Sequence, residues 1–156
     1  LARLQPSVLC FIGCDMIYPA SGPSHFYGVG TPDPLRADVT LQSLEAKAGR
    51  LQIIAAREGC ACVNLSDAPR SRLVFPRALP QRTTLDATRA MRFDEGAVEA
   101  ALNREQALAY MVPSGDYWNH LDGIDPAELR ALDALWAKAH ATGQEATPSE
   151  ALRAAG

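Results

Sequence analysis

Apolar positions along the chain follow two different periods. Residues 7–14, SVLCFIGC, are an apolar run with no polar alternation. A run of that kind, bounded by turn residues, predicts a strand buried on both faces, as in a parallel sheet. Residues 39–58, VTLQSLEAKAGRLQIIAARE, repeat at helical spacing instead. Leu44, Ala48, Leu51 and Ala55 share one stripe, flanked by Leu41 and Ile54. Asp38 or Thr40 is placed to cap the start of that helix, and Gly59 to stop it. Residues 60–66, CACVNLS, read as a second short apolar strand that ends in polar groups. Strand, long loop, helix and strand make a βαβ unit with a parallel, right-handed crossover. Residues 71–76, SRLVFP, read either as a short extra strand or as an extended segment ended by Pro76 and Pro80.

Beyond about residue 80 the pattern turns helical. FDEGAVEAALNREQALAYMV presents Val98, Leu102, Leu108 and Met111. Gly96 and Asn103 interrupt it, which predicts two shorter helices with Asn103 and Gln106 as a capping box. IDPAELRALDALWAKAHAT predicts a longer helix. Asp125 caps it, Pro126 takes the first helical position, and Glu128 completes the box. Leu129, Leu132, Trp136 and Ala139 form its apolar stripe, and His140 is expected to face solvent. TPSEALRAA repeats the cap chemistry with Thr147, Pro148 and Glu150. The fold class expected is therefore α/β: a Rossmann-like parallel βαβ portion over residues 1–80, followed by an α-helical tail over 81–156. Two strands leave open sheet edges. The sheet is expected to be completed by a missing N-terminal half or by another subunit.

Composition narrows the function classes. Fifteen basic residues against eighteen acidic ones give a net charge of −3, and the basic residues are scattered. That is not the footprint of a nucleic-acid binder. The longest apolar run is about a third of a membrane span, and no signal-peptide cleavage pattern follows it, so a cytoplasmic location is expected. The first residue is Leu1 rather than Met, which fits a processed or partial chain. The four cysteines fall as Cys10-x3-Cys14 and Cys60-x-Cys62. Neither spacing is that of a zinc ribbon, and both pairs sit in apolar runs. Reduced cysteines packed as small core residues are expected, with no metal and no resident cofactor.

Candidate chemistry is concentrated in residues 15–35, DMIYPASGPSHFYGVGTPDPL. Ligands of open α/β sheets bind outside the carboxyl ends of the strands, and this loop follows the first strand directly. His25 is an imidazole able to take a proton from a hydroxyl acceptor at neutral pH. Tyr18 and Tyr27 are phenols able to donate to a phosphate, and Arg36 is the nearest cation for an anionic ligand. Asp15 stands at the strand's end; it either holds a ligand or caps the loop. Asn64 and Ser66, at the end of the second strand, face the same crevice. His120, Asp116, Tyr117 and Trp118 lie in a second aromatic loop, residues 112–123, read as a lid, an acceptor wall or a hinge between helices.

The stretch GCDMIYPASGPSHFYG resembles the G-x-D-x-x-Y … S-H-x-x-G segment of the small Rossmann-like bacterial sialyltransferases. It is also similar to the G-x-D-L-A … T-H-A segment of Maf flagellin glycosyltransferases and MptE-like pterin diphosphokinases. The resemblance covers about residues 8–75. It implies a metal-independent transferase that takes a nucleotide-activated sugar, such as a nonulosonic acid on a cytidine nucleotide, and passes it to a hydroxyl acceptor. Carried over, His25 is the base, Tyr18 and Tyr27 assist the departing phosphate, Ser24 belongs to the S-H pair, and Asp15 fixes the loop. The sequence departs from the pattern in three places. The sialyltransferase pattern places its catalytic histidine four residues past the S-H pair, where this chain has Val29, so His25 matches the other histidine; the tyrosine after G-x-D is displaced by one residue; and the Gly-rich G-N-G-P-S start is absent. Two alternatives follow: a non-catalytic binding or assembly domain that keeps the crevice, and an MptE-like diphosphate-transferring enzyme that needs a metal, with Asp33 and Asp38 as further carboxylates.

Overall fold

The computed structural model describes residues 4–17, 43–77, 85–86 and 91–145. The chain is mixed α/β. Strand β1 (Val8–Phe11), helix α1 (Leu44–Arg57) and strand β2 (Ala61–Asn64) are followed by helix α2 (Glu95–Leu108), two single-turn 3-10 segments (Tyr117–Asn119 and Leu121–Gly123) and helix α3 (Pro126–Glu145). The two strands pair in parallel, with Val8 opposite Ala61 and Phe11 opposite Asn64. Among the described residues the sheet has these two strands.

Both strands are shorter than the apolar runs that predicted them, and they differ in burial. β2 is buried along its whole length. β1 is half-buried with Cys10 exposed, and Ile12 just beyond it is 73% exposed. Burial on both faces therefore holds for β2 and fails for β1. The reason lies in their neighbours. β2 is held on one edge by β1 and on the other by a parallel bridge from Asn64 to Arg77, where Asn64 N–H donates to Pro76 O at 2.9 Å. The SRLVFP segment is thus extended chain with one bridge, and it supplies Phe75 to the core, its ring 4.7 Å from that of Phe11. The cysteines divide the same way. Cys60 and Cys62 are buried, whereas Cys10 and Cys14 are exposed, which corrects the expectation of four core cysteines. All four are free thiols, and burial pushes the Cys62 thiol up to about 12.

Helix α1 starts later than its apolar pattern suggested. Ser43 is the cap, its Oγ accepting from Ala46 N–H at 3.1 Å. Asp38, Thr40 and Leu41 lie outside the described residues. Gly59 sits just past the helix with φ +71°, a conformation that stops a helix without a Cβ penalty. α1 buries two faces. Ala48 and Ala55 pack with Cys60, Cys62 and Phe75 on the sheet side. Ala46 and Ile53 pack on the other side with Val98 and Ala101 of α2 and with Leu129, Leu132, Trp136 and Ala139 of α3. The helix is therefore a middle layer between the sheet and the α2–α3 pair.

Helix α2 is one continuous helix, not two. Asp94 caps it by accepting from Ala97 N–H at 3.0 Å. Gly96 falls in the first turn, where its entropic cost is smaller than mid-helix, so it does not break the helix. Val98 and Ala101 are fully buried, while Met111 lies beyond the helix and is 74% exposed. α3 begins as expected, with Asp125 Oδ1 accepting from Ala127 N–H at 2.7 Å. Glu128 does not close a capping box. It pairs with Arg104 of α2, and Asp125 N–H donates to Tyr110 Oη at 3.0 Å. Residues 147–155 lie outside the described part.

His140 corrects a further expectation, since it is only 6% exposed. Its Nε2–H donates to Gln52 Oε1 at 2.8 Å, and its ring stacks near Phe93. The approach is allowed by Gly49: a Cβ there would lie 3.1 Å from the His140 Cβ and Cγ. Burial holds the imidazole below its ordinary pKa of 6.5. The folded state therefore binds fewer protons than the unfolded chain just below pH 6.5, and stability is lost as pH falls through that range. Urea midpoints from pH 7 to pH 5 are expected to drop more steeply in the natural protein than in His140→Gln. Equal slopes would place the titration elsewhere.

Candidate site at the carboxyl ends of the parallel strands

Parallel strands direct their carboxyl ends to one edge, and a polar cluster occupies that edge here. Asp15, four residues past β1, accepts a hydrogen bond from Ser66 Oγ at 2.5 Å through Oδ2. Its backbone O accepts from Arg72 N–H at 2.9 Å. Asn64, the last residue of β2, is 1% exposed. Asn64 Oδ1 accepts from Ser66 N–H at 3.0 Å, and Asn64 Nδ2 donates to Ser71 Oγ at 3.1 Å. Ser66 Oγ in turn accepts from Ala68 N–H at 3.2 Å. Arg72 leaves the cluster to form a two-point pair with Glu45 on the first turn of α1, at 2.6 and 2.9 Å. Two strand ends and the start of α1 are thereby tied together.

The Ser66 hydrogen bond holds the Asp15 carboxyl below the usual carboxylate range, against partial burial and with smaller help from Ser71, Asn64 and Arg77. Such a group stays ionised at neutral pH. It cannot act as a general acid there, and it is a poor base. Its capacity is to accept hydrogen bonds and fix geometry. Asp15 Oδ1 is shielded from solvent with no hydrogen-bond partner among the described residues. The next residue, Met16, has φ +55°, a left-handed conformation that costs a non-glycine residue free energy. Ser66 donates its one hydroxyl proton to Asp15, so in this arrangement it offers a ligand only lone pairs.

Of the residues singled out by sequence, the structure brings Asp15, Asn64 and Ser66 together. Tyr18, Ser24, His25, Tyr27 and Arg36 lie outside the described residues, as do Asp33 and Asp38. In the second loop His120 is exposed, its backbone N–H donating to Tyr117 O at 2.9 Å. Tyr117 lines a cavity of about 770 Å³ on the other side of α1, together with Lys47, Glu105, Asp133 and Trp136. That cavity was not anticipated. Its charged walls come from three helices, and Lys47 and Asp133 are 86 positions apart. The available signal was Asp133 itself, a carboxylate between Leu132 and Leu135 on a face otherwise apolar.

Among the described residues no group of three His, Cys, Asp or Glu side chains is placed to hold a metal ion. No helix among them is long and apolar enough to cross a membrane. No protein-family model matches the chain, no curated protein matches it in sequence, and no solved structure matches its fold.

Proposed function

We propose that this chain is a cytoplasmic, metal-independent glycosyltransferase-like protein. It transfers a sugar of the nonulosonic acid type from a cytidine nucleotide to a hydroxyl acceptor. The observation that carries the reading is the Asp15–Ser66 tie across the carboxyl ends of two parallel strands, at the edge where open α/β sheets bind ligands. In the step proposed, the acceptor hydroxyl oxygen attacks the anomeric carbon. The bond from that carbon to the phosphate oxygen breaks, and the nucleotide monophosphate leaves with the electron pair. His25 takes the acceptor's proton. Tyr18 and Tyr27 donate hydrogen bonds to the departing phosphate, Arg36 offsets its charge, and Ser24 holds the loop beside His25. Asp15 is a positioning residue: it keeps the start of the 15–35 loop against β2. Its depressed pKa suits that task, because the tie is charge-assisted throughout the neutral range.

The test is thermal unfolding with cytidine 5′-monophosphate, with and without magnesium. A ligand that binds only the folded state at about 100 times its Kd adds about 2.7 kcal/mol. For a chain of this size that raises Tm by about 5–10 °C. The transferase reading expects that rise without metal. A rise that strictly requires magnesium supports diphosphate transfer instead. No rise under either condition supports a non-catalytic binding or assembly module.

A further inference from the structure

A cavity lies away from the sheet edge, lined by α1, α2, α3 and the 110–117 segment. Its volume, about 770 Å³, is in the range of small-molecule pockets. Most of its wall is apolar: Leu102, Leu108, Ile124, Leu129, Leu132 and the Trp136 ring. Two ion pairs are set into that wall. Arg50 grips Glu105 through Nε and Nη2 of its guanidinium, and Glu105 Oε1 also accepts from Trp136 Nε1 at 2.9 Å, so both oxygens of this carboxylate are engaged. The second pair is not. Lys47 Nζ donates to Asp133 Oδ1 at 3.2 Å, and Lys47 has no other hydrogen bond among the described residues. Asp133 is 5% exposed, yet its Oδ2 has no partner among them. A buried, unmatched carboxylate oxygen is costly and calls for an explanation.

We infer that this cavity binds a small uncharged molecule with an aromatic or aliphatic body and one hydroxyl, the hydroxyl donating to Asp133 and accepting from Lys47. The choice of an uncharged ligand follows from charge balance. Two cations, Lys47 and Arg50, already face two carboxylates, Glu105 and Asp133. A charged ligand would leave one charge without an opposite partner beside the buried Asp133 and the apolar wall. The choice of a hydroxyl follows from the unmatched pair: an acceptor oxygen beside an ammonium with donors to spare matches a group that both donates and accepts. Burial raises the Asp133 carboxyl above its ordinary range even with Lys47 and the Ser43 backbone N–H on its side to lower it. The apolar wall takes the rest of the molecule. This site does not depend on the transferase reading.

The experiment compares 2-naphthol with 2-methoxynaphthalene, which has the same body but no donor, titrated into the full chain at pH 7. Binding is followed by NMR through the Trp136 indole N–H and the Leu102 and Leu129 methyl groups. The expected result is that 2-naphthol moves these signals and binds about tenfold more tightly, the factor one good hydrogen bond supplies. In Asp133→Ala that preference is expected to vanish while naphthalene-body binding persists. Should that variant not fold, Lys47→Met, at a half-exposed position, is expected to shrink the preference. The wild-type comparison stands without either variant. Equal affinity for the two probes, shifts confined to other residues, or no shift at millimolar probe would each overturn the inference.

Discussion

Trp136→Ala is expected to cost about 3–5 kcal/mol of folding stability, the largest loss of any single core substitution among the described residues. Trp136 is 1% exposed and is the largest of the fully buried side chains. It sits where α1, α2 and α3 meet, packed in one cluster with Ile53, Val98 and Leu132. Truncation removes the apolar ring, opens a void that helices anchored by the Arg50–Glu105 and Arg104–Glu128 pairs cannot readily close, and deletes a donor to Glu105. It also removes the ring beneath the Arg50 guanidinium, whose carbon lies 5.5 Å from the ring centroid. Packing dominates this sum. Trp136→Phe keeps most of the ring volume and loses the indole N–H, so it is expected to cost about 1–2 kcal/mol. Urea denaturation by circular dichroism separates the two. Since single domains are stable by about 5–15 kcal/mol, the alanine variant is expected to lose a large share of its stability and to unfold at a much lower urea concentration. Equal losses in the two variants would mean that the indole hydrogen bond, not packing, carries the effect.

His25→Ala is expected to lower the rate of sugar transfer by about 100-fold to 10000-fold, the range general-base catalysis supplies. The expectation rests on the proposed mechanism, in which His25 is the base and Asp15, held ionised and too weakly basic at neutral pH, is not. Its urea midpoint is expected to match that of the natural sequence. A loss of affinity for the donor with kcat unchanged would make His25 a binding residue rather than the base. A rate within a factor of about two of the natural one would remove it from the chemistry.

Much of the frame was legible because its signals are local. The α1 stripe, the Asp125–Pro126 start of α3 and its Leu129, Leu132, Trp136 and Ala139 face depend on spacing within a few turns, and the structure buries all four of those α3 residues. The parallel pairing followed from two apolar runs joined by one helix. What was not legible depends on contacts between distant segments. A Gly at position 49 gives no hint that a histidine 91 positions later packs on it, so His140 reads as a surface residue. Asp38 and Thr40 are capping residues by type, but the hydrogen-bonded turn of α1 starts at Ser43, which the apolar pattern did not single out. Gly96 and Asn103 lower intrinsic helix preference, but Val98 and Ala101 are buried against α3, and that packing outweighs a weak local cost. β1 failed to bury both faces because an apolar run cannot report how many neighbours its strand will have.

The same distinction holds at the site. Asp15 was singled out for standing at a strand's end, and Asn64 and Ser66 for the matching position on the next strand. Parallel register brings the two strand ends to one edge; the Asp15–Ser66 contact, four residues past β1 and two past β2, also needs the loop backbone that follows each strand. The finer network, in which Asn64 bridges Ser66 and Ser71 and Arg72 reaches Glu45, depends on loop backbone geometry that composition does not encode.

The most direct test of the central claim is a residue-resolved one. Cytidine 5′-monophosphate is titrated into the labelled full chain without metal, and backbone amide signals are followed. The account predicts saturable shifts concentrated at residues 12–17 and 64–72, weakened in Asp15→Ala, with the α2–α3 amides unmoved. Shifts that spare both strand ends, or none at millimolar nucleotide, would contradict it.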